Sequence, residues 1–296
     1  MKSLLALLVL LALVFSACQP IVAPEAMAQP EEVAAAASTA ADSTIAVNFY
    51  TSHEGHEHFG KIDLESGVGT DIAKYENPEI NILRTEWPLG NGAIYEGAVY
   101  GIIAKRLPAD ATRDEAESRV ARVDMQTGAV ELLGEPINLN MLAVEIDPCG
   151  TMFAAGFEFS NEFGVMYGDT NLYKVDRETG SLTLVGDTGV EQLMDMAFDP
   201  QGILWATTRN ILYTLDVKTG ASTEMTTITG VEADNVIMGI GFTTEGELYA
   251  TTPDSDGFYK IDPASGEATE IGHHGLFFPH GGDIPMAPQV VNCEGG

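Results

Sequence analysis

Apolar residues along this chain alternate with polar ones or run in blocks of about five, with turn residues between the blocks, which is the pattern of short strands. A helix would repeat its apolar positions at intervals of three and four instead. The stretch from Leu193 to Gly220, LMDMAFDPQGILWATTRNILYTLDVKTG, shows the pattern most fully. Two strands, MAF and ILWATT, flank the turn DPQG; a third, ILYTLD, ends in the turn VKTG; a fourth, ASTEMTT, follows. Together they read as one four-stranded antiparallel blade.

The unit recurs. Its third strand returns as FGKIDLESG, VARVDMQTG, LYKVDRETG and FYKIDPASG, and in every copy an Asp precedes a Gly by four residues: Asp63 and Gly67, Asp124 and Gly128, Asp176 and Gly180, Asp216 and Gly220, Asp262 and Gly266. An Asp side chain accepts the backbone N–H groups of a tight turn, and Gly supplies the left-handed residue that closes a hairpin, so these residues are read as turn geometry rather than chemistry. The first hairpin recurs as well, in GAIYEGAVYGIIA, LAVEIDPCGTMFAAG and MGIGFTTEGELYATT. Four short strands repeated at this period predict an all-β fold, a β-propeller of four-stranded antiparallel blades.

Strand Ser43 to Thr51 leads directly into a third strand, His58 to Asp63, so the first blade lacks its innermost strand; Gly282 to Ala287 reads as an innermost strand with no blade behind it. Pairing of the N- and C-terminal strands closes the ring and leaves no exposed edge. The count is five blades: 44–75 with 281–287, then 91–134, 141–186, 193–228 and 237–272. A degenerate blade in the wide interval from Gly67 to Gly128 would make six, the alternative.

Ahead of the propeller, residues 1–18 read as an export signal. Lys2 is the charged start, Leu4 to Val14 the apolar core, and Phe15-Ser16-Ala17-Cys18 resembles a bacterial lipobox, in which Cys18 would carry the lipid. Phe15 departs from the usual Leu, so ordinary secretory cleavage is the alternative. Residues 19–43, rich in Ala, Pro and Glu, read as a flexible tether, 44–287 as the propeller and 288–296 as a C-terminal tail. The expected location is outside the cytoplasm, on a bacterial membrane through the lipid anchor, at the cell surface or in the periplasm, as a monomer.

Charge narrows the partners. Forty-four acidic residues against fourteen basic give a net charge of −30. Such a surface repels nucleic acid and anionic headgroups and attracts divalent cations. Of three cysteines, lipidation of Cys18 leaves Cys149 and Cys293 as a candidate disulfide for an oxidising compartment.

The candidate chemistry lies in the closing blade. All six histidines fall in two stretches, SHEGHEH (52–58) and HHGLFFPH (273–280), which propeller topology brings to one face. His53, His56, His58, His273, His274 and His280, with Glu54 and Glu57 among them, are candidate ligands for zinc, copper or nickel. The spacing of His53 and His56 is not that of a helical HExxH motif. His280 aligns with Asn91, Leu142, Met194 and Met238 at the tops of innermost strands, and is expected to face the central channel. Other loops on that face are the insertion 156–171, with Phe157, Phe159, Phe163 and Tyr167; the segment 105–118; and PDSDG (253–257), where Asp254 and Asp256 resemble part of a calcium loop lacking its Glu.

LVGDTG, MAFDPQGILWATT and LYTLDVKTG resemble the NHL-like and virginiamycin B lyase-like group of bacterial propellers, over about residues 44–287. The resemblance implies blade architecture. The lyase members use a His–Glu–His set with magnesium, and no blade interior here outside the closing one contains a His, so that set has no counterpart in this chain. No GxSxG elbow, Walker loop or CxxC pair is present, and no residue is singled out as catalytic. The expected function is binding of a ligand, metal or partner protein through the loop face. A metal-dependent hydrolase or lyase that activates water at the histidine rim is the alternative.

Overall fold

The computed structural model describes residues 43–50, 57–79, 89–105, 112–157, 168–232 and 235–285. The chain separates into two units, residues 1–36 and 37–296; the stretch read as an export signal, Cys18 and most of the stretch read as a tether fall in the first, which lies wholly outside the described residues.

The second unit is a five-bladed propeller. Strands β1 (Thr44–Tyr50), β2 (Glu57–Asp63) and β3 (Gly69–Lys74) belong to the first blade. The second blade is β4 (Leu89–Tyr95), β5 (Ala98–Ala104), β6 (Ser118–Asp124) and β7 (Val130–Ile137). The third is β8 (Asn140–Ile146), β9 (Met152–Phe157), β10 (Asp169–Val175) and β11 (Leu182–Glu191). The fourth is β12 (Asp195–Phe198), β13 (Leu204–Thr208), β14 (Ile211–Leu215) and β15 (Ser222–Thr227). The fifth is β16 (Gly239–Phe242), β17 (Leu248–Thr251), β18 (Gly257–Ile261) and β19 (Ala268–His273). The last strand, β20 (Phe277–Asp283), pairs antiparallel with β1 and completes the first blade in the order β20-β1-β2-β3.

Burial falls outward along each blade, as the apolar pattern requires. Innermost strands such as DMAF and GIGF are buried at every position, whereas the outermost STEMTT is exposed or half-buried throughout. The core is divided into five apolar clusters, and each one fills the interface between two neighbouring blades. Trp205 of the fourth blade meets Phe242 of the fifth at 5.7 Å between ring centroids, and Phe153 of the third meets Phe198 of the fourth at 5.9 Å. The cluster of Ile45, Val47, Phe49 and Ile62 with Tyr249 and Phe258 seals the first blade to the fifth.

The repeated Asp and Gly behave as turn residues. The Asp124 carboxylate accepts N–H bonds from Gln126 and Thr127 (2.9 and 2.8 Å), and Gly128, at φ +72°, donates its N–H to the Asp124 carbonyl. These bonds hold the carboxyls of Asp63, Asp124, Asp176, Asp216 and Asp262 below their usual range. The Gly has a second duty that the sequence pattern did not reveal. A Cβ on Gly128 would stand 1.8 Å from the Lys74 carbonyl oxygen in the outermost strand of the preceding blade. Gly180 meets Leu133, Gly220 meets Gly186, Gly266 meets Thr227 and Gly67 meets Gly272, so the same contact recurs around the ring.

Two boundaries differ from the sequence reading. The closing strand is residues 277–283 rather than 281–287, with His280 opposite Asn48 and Asp283 opposite Ala46. The sequence reading puts Gly281 and Gly282 at the start of the strand, but they lie near its end. A Cβ on Gly281 would stand 2.8 Å from Asn91 Cα, and one on Gly282 2.8 Å from Ile45 Cδ1, so they are small because neighbouring strands press against them. The histidine stretches are accordingly less loop-like than expected: His58 is in β2, His273 ends β19 and His280 is in β20.

Candidate functional site

The loops entering each innermost strand and those joining second to third strands share one face, as the antiparallel order of the blades dictates. At the first blade this face holds the start of β2 and of β20. His53, Glu54 and His56 lie outside the described residues. The other four histidines are each engaged with a carboxylate of their own. His58 Nδ1 is 3.0 Å from Asp71 and its ring packs against Phe49. His273 Nε2 is 3.3 Å from Glu270 on the exposed end of β19. His274 Nδ1 is 2.8 Å from Asp256, and His280 Nε2 is 2.9 Å from Glu57. Among the described residues, no group of three or more His, Cys, Asp and Glu is arranged to hold a metal ion.

The His280 pair is buried and structural in its connections. His280 Nε2 donates to the Glu57 carboxylate and to the Leu89 carbonyl (2.7 Å), while its Nδ1 faces the Phe278 carbonyl at 3.2 Å. Glu57 also accepts the backbone N–H of Leu89. With oxygens facing both ring nitrogens, the protonated ring is favoured: burial alone would lower its pKa, but the Glu57 hydrogen bond and charge outweigh it and the net shift is upward. One side-chain pair thus joins β2, β20 and β4. Beside it the Tyr75 hydroxyl donates to Asn48, and burial with the Glu57 charge pushes the phenol well above its ordinary value.

Around the axis the innermost strands follow one another as β20, β4, β8, β12 and β16, and they carry three buried carboxyls that sequence reasoning did not single out. Asp195 accepts from Asn91 Nδ2 across the ring and from the Ile240 N–H (2.7 Å), and Asp283 accepts the Ile94 N–H. Glu145 lies near enough for both to raise its pKa, after burial, well above the usual carboxylate range. Burial likewise raises Asp195 well above its ordinary value against the bonds it accepts, and Asp283 to about 7. A charged residue inside each apolar run (AVEID, LMDMAF, GGDIP) was the available signal. In an alternating strand it is indistinguishable from an outward-facing position.

A concavity of about 450 Å³ opens where the loop after β17 meets the segment between β19 and β20. Asp254 and Asp256 line it together with Leu276, Phe277 and Phe278. Phe277 is 44% exposed, and Asp256 and Phe278 hold left-handed backbone conformations, φ +66° and +52°. His274, whose side chain is fully buried, supports this loop: its N–H donates to the Asp256 carbonyl (2.9 Å) and its Nε2 faces the Thr252 carbonyl (3.3 Å). Burial lowers the His274 pKa, with Asp256 pulling the other way.

Of the remaining candidates, Phe157 is a buried residue of β9 rather than a ligand contact, because it continues the apolar run MFAAGF into the core. Phe159, Phe163 and Tyr167 lie outside the described residues. Cys149, in the Asp147–Gly150 turn on the opposite face, is disulfide-bonded; both other cysteines, Cys18 and Cys293, lie outside the described residues.

No protein-family model matches this chain, and no curated protein matches it. Solved structures do match in fold. A chain of the nidogen/laminin complex aligns with a TM-score of 0.47 and 11% identity, covering 82% of this chain and 85% of that one. The calcium-binding protein regucalcin from Agrobacterium tumefaciens gives 0.41 and 15%, covering 79% and 75%. Virginiamycin B lyase from Staphylococcus aureus, a member of the group that the blade motifs resemble, gives 0.40 and 14%, covering 79% and 71%. At these identities the likeness is one of fold.

Proposed function

We propose that this chain is an exported, lipid-anchored β-propeller that acts as a monomer and binds a ligand or partner protein through its loop face. The observation that carries the reading is the concavity between 253–256 and 275–278, where two loops on that face enclose about 450 Å³ rather than closing as bare turns. The anchor is supported by Lys2, the apolar run Leu4–Val14 and the lipobox-like Phe15–Cys18. It also agrees with the sulfur count: Cys149 is disulfide-bonded, and a lipidated Cys18 makes Cys293 its partner. Two measurements test the proposal. Cys18→Ala should move the chain from the membrane fraction to the soluble one, and unchanged retention would overturn the anchor. A charge-diverse fragment library should perturb amide resonances on the loop face, and perturbation confined to the opposite face would overturn the binding surface.

The metal-dependent reading draws support from one contact. The Asp71 carboxylate lies 3.0 Å from His58 Nδ1, the way outer carboxylates orient metal-ligating imidazoles, which would leave Nε2 to serve as a ligand. A zinc, copper or nickel site would then combine His58 with His53 and His56 and would bring water-activating chemistry. Stoichiometric metal in the untagged protein, lost in the His53→Ala/His56→Ala variant, is the expected result of this reading; absence of metal uptake at micromolar concentration would end it.

A further inference from the structure

The pocket at 253–256 and 275–278 has a chemical bias that its position alone does not explain. We propose that it takes a small organic cation, an ammonium or guanidinium group carried on an aromatic or aliphatic body. The inference rests on the loop face being the binding face and adds the class of ligand. Two acidic residues, Asp254 and Asp256, line the pocket, and no Lys or Arg is among the described residues that do. An anion entering it would meet the like charge of these two aspartates, while the field of a chain of net charge −30 draws cations toward it. The rest of the described lining is apolar and aromatic, with Phe277 44% exposed. An aromatic face accepts a cation, and an apolar wall accepts the body that carries it. A bare metal ion fits less well, since among the described residues no group of three or more His, Cys, Asp and Glu is arranged to hold one, and the His274 ring nitrogen beside Asp256 is engaged with that carboxylate.

The acidic part of the lining is also built in advance. Asp256 is tied to His274 twice, through its carbonyl (2.9 Å from the His274 N) and through its carboxylate (2.8 Å from Nδ1). Within the same loop Thr252 and Ser255 hydroxyls lie 3.0 Å apart, and Asn235 bonds to Ser255 from the preceding segment. Asp256 and Phe278 both occupy the left-handed region. Asp enters that region readily, but a bulky side chain such as that of Phe278 does so where its surroundings over-determine it, and such residues gather at ligand clamps. A loop fixed before the ligand arrives loses little entropy on binding.

The test uses the full purified chain and three probes of one shape: 2-phenylethylamine, 2-phenylethanol and phenylacetate. Titrations followed by amide chemical shifts should show the amine binding at residues 252–256 and 274–278. The alcohol should bind roughly tenfold more weakly, the charge-assisted contact being worth about one decade, and phenylacetate should not bind. Asp254→Asn, Asp256→Asn and Phe277→Ala should each weaken the amine severalfold, with Asp254→Asn and Phe277→Ala serving should Asp256→Asn loosen the loop. Equal affinity for amine and alcohol, or amine binding unchanged in Asp254→Asn and Phe277→Ala, overturns the proposal. Binding of phenylacetate or neutral fragments in this pocket without the amine also overturns it, yet leaves loop-face binding standing. Silence toward every probe across the whole face would remove both.

Discussion

At the scale of single residues, the repeated glycines answer two constraints at once, and a pair of variants separates them. Gly97 and Gly128 share nearly the same backbone, φ +79° and +72°, but a Cβ at Gly97 would meet nothing within 4 Å, while one at Gly128 would meet the Lys74 carbonyl at 1.8 Å. Gly97→Ala should therefore cost only the left-handed conformation, about 1–2 kcal/mol. Gly128→Ala adds overpacking against the preceding blade, for a total of about 2–5 kcal/mol. Urea unfolding of both variants checks this, and equal losses would mean that the blade contact yields without cost. The Asp beside each glycine was legible in the sequence because its role is local: it bonds to amides two and three residues on. The glycine's inter-blade role was not, since it depends on the outermost strand of another blade, far outside the turn.

At the scale of elements, the ring is fastened where its two ends meet, and the fastening is polar as well as apolar. Glu57 on β2 receives the His280 ring from β20 and the Leu89 amide from β4, all in a buried setting. Removing one member of a buried pair strands the other's charge, so His280→Leu should destabilise the protein by about 3–5 kcal/mol. The double variant His280→Leu/Glu57→Leu should recover part of that loss. Recovery stays incomplete because the Leu89 amide loses its acceptor, a cost of about 1–3 kcal/mol. Chemical denaturation of these two variants and of Glu57→Leu decides the matter: a double variant as unstable as the sum of its single changes would show that the pair is not coupled. That the N- and C-terminal strands share a blade was readable from a first blade lacking an inner strand and a last strand lacking a blade. The position of the closing strand was not, because Gly281 and Gly282 carry the local signature of a turn while serving close packing. Of the described histidines, His58 and His280 share the first blade while His273 ends β19 of the fifth, and the partners Asp71, Asp256 and Glu270 are not in the two stretches that hold the histidines. Pairing across strands turns what reads as one cluster into separate contacts.

At the scale of the whole molecule, the buried carboxyls of the innermost strands set the dependence of stability on pH. Asp283 binds its proton up to about pH 7 in the folded protein against 3.8 as its ordinary value. A group whose pKa is raised by folding contributes stability that is complete below its unfolded pKa and is lost as the pH rises through the folded one. For Asp283 the loss runs from about pH 4 to 7, and Glu145 and Asp195, raised well above their ordinary values, extend it in the same direction. His280, also raised, adds a loss that begins above its ordinary 6.5. The turn aspartates have the opposite sign: their lowered pKa values stabilise the fold above 3.8, and that share disappears as the pH falls through the folded values. The two sets together predict greatest stability near pH 4, with a decline toward neutrality that repulsion within a strongly acidic chain reinforces. Asp283→Asn keeps an acceptor for the Ile94 amide and removes the titration. Its stability should accordingly fall less steeply between pH 4 and 7, by up to one proton's share of the slope, about 1.4 kcal/mol per pH unit. Unfolding free energies measured at several pH values across that window test the assignment. An unchanged slope would mean that Asp283 is ionised in the folded ring and that the innermost strands carry its charge, rather than its proton, at neutral pH.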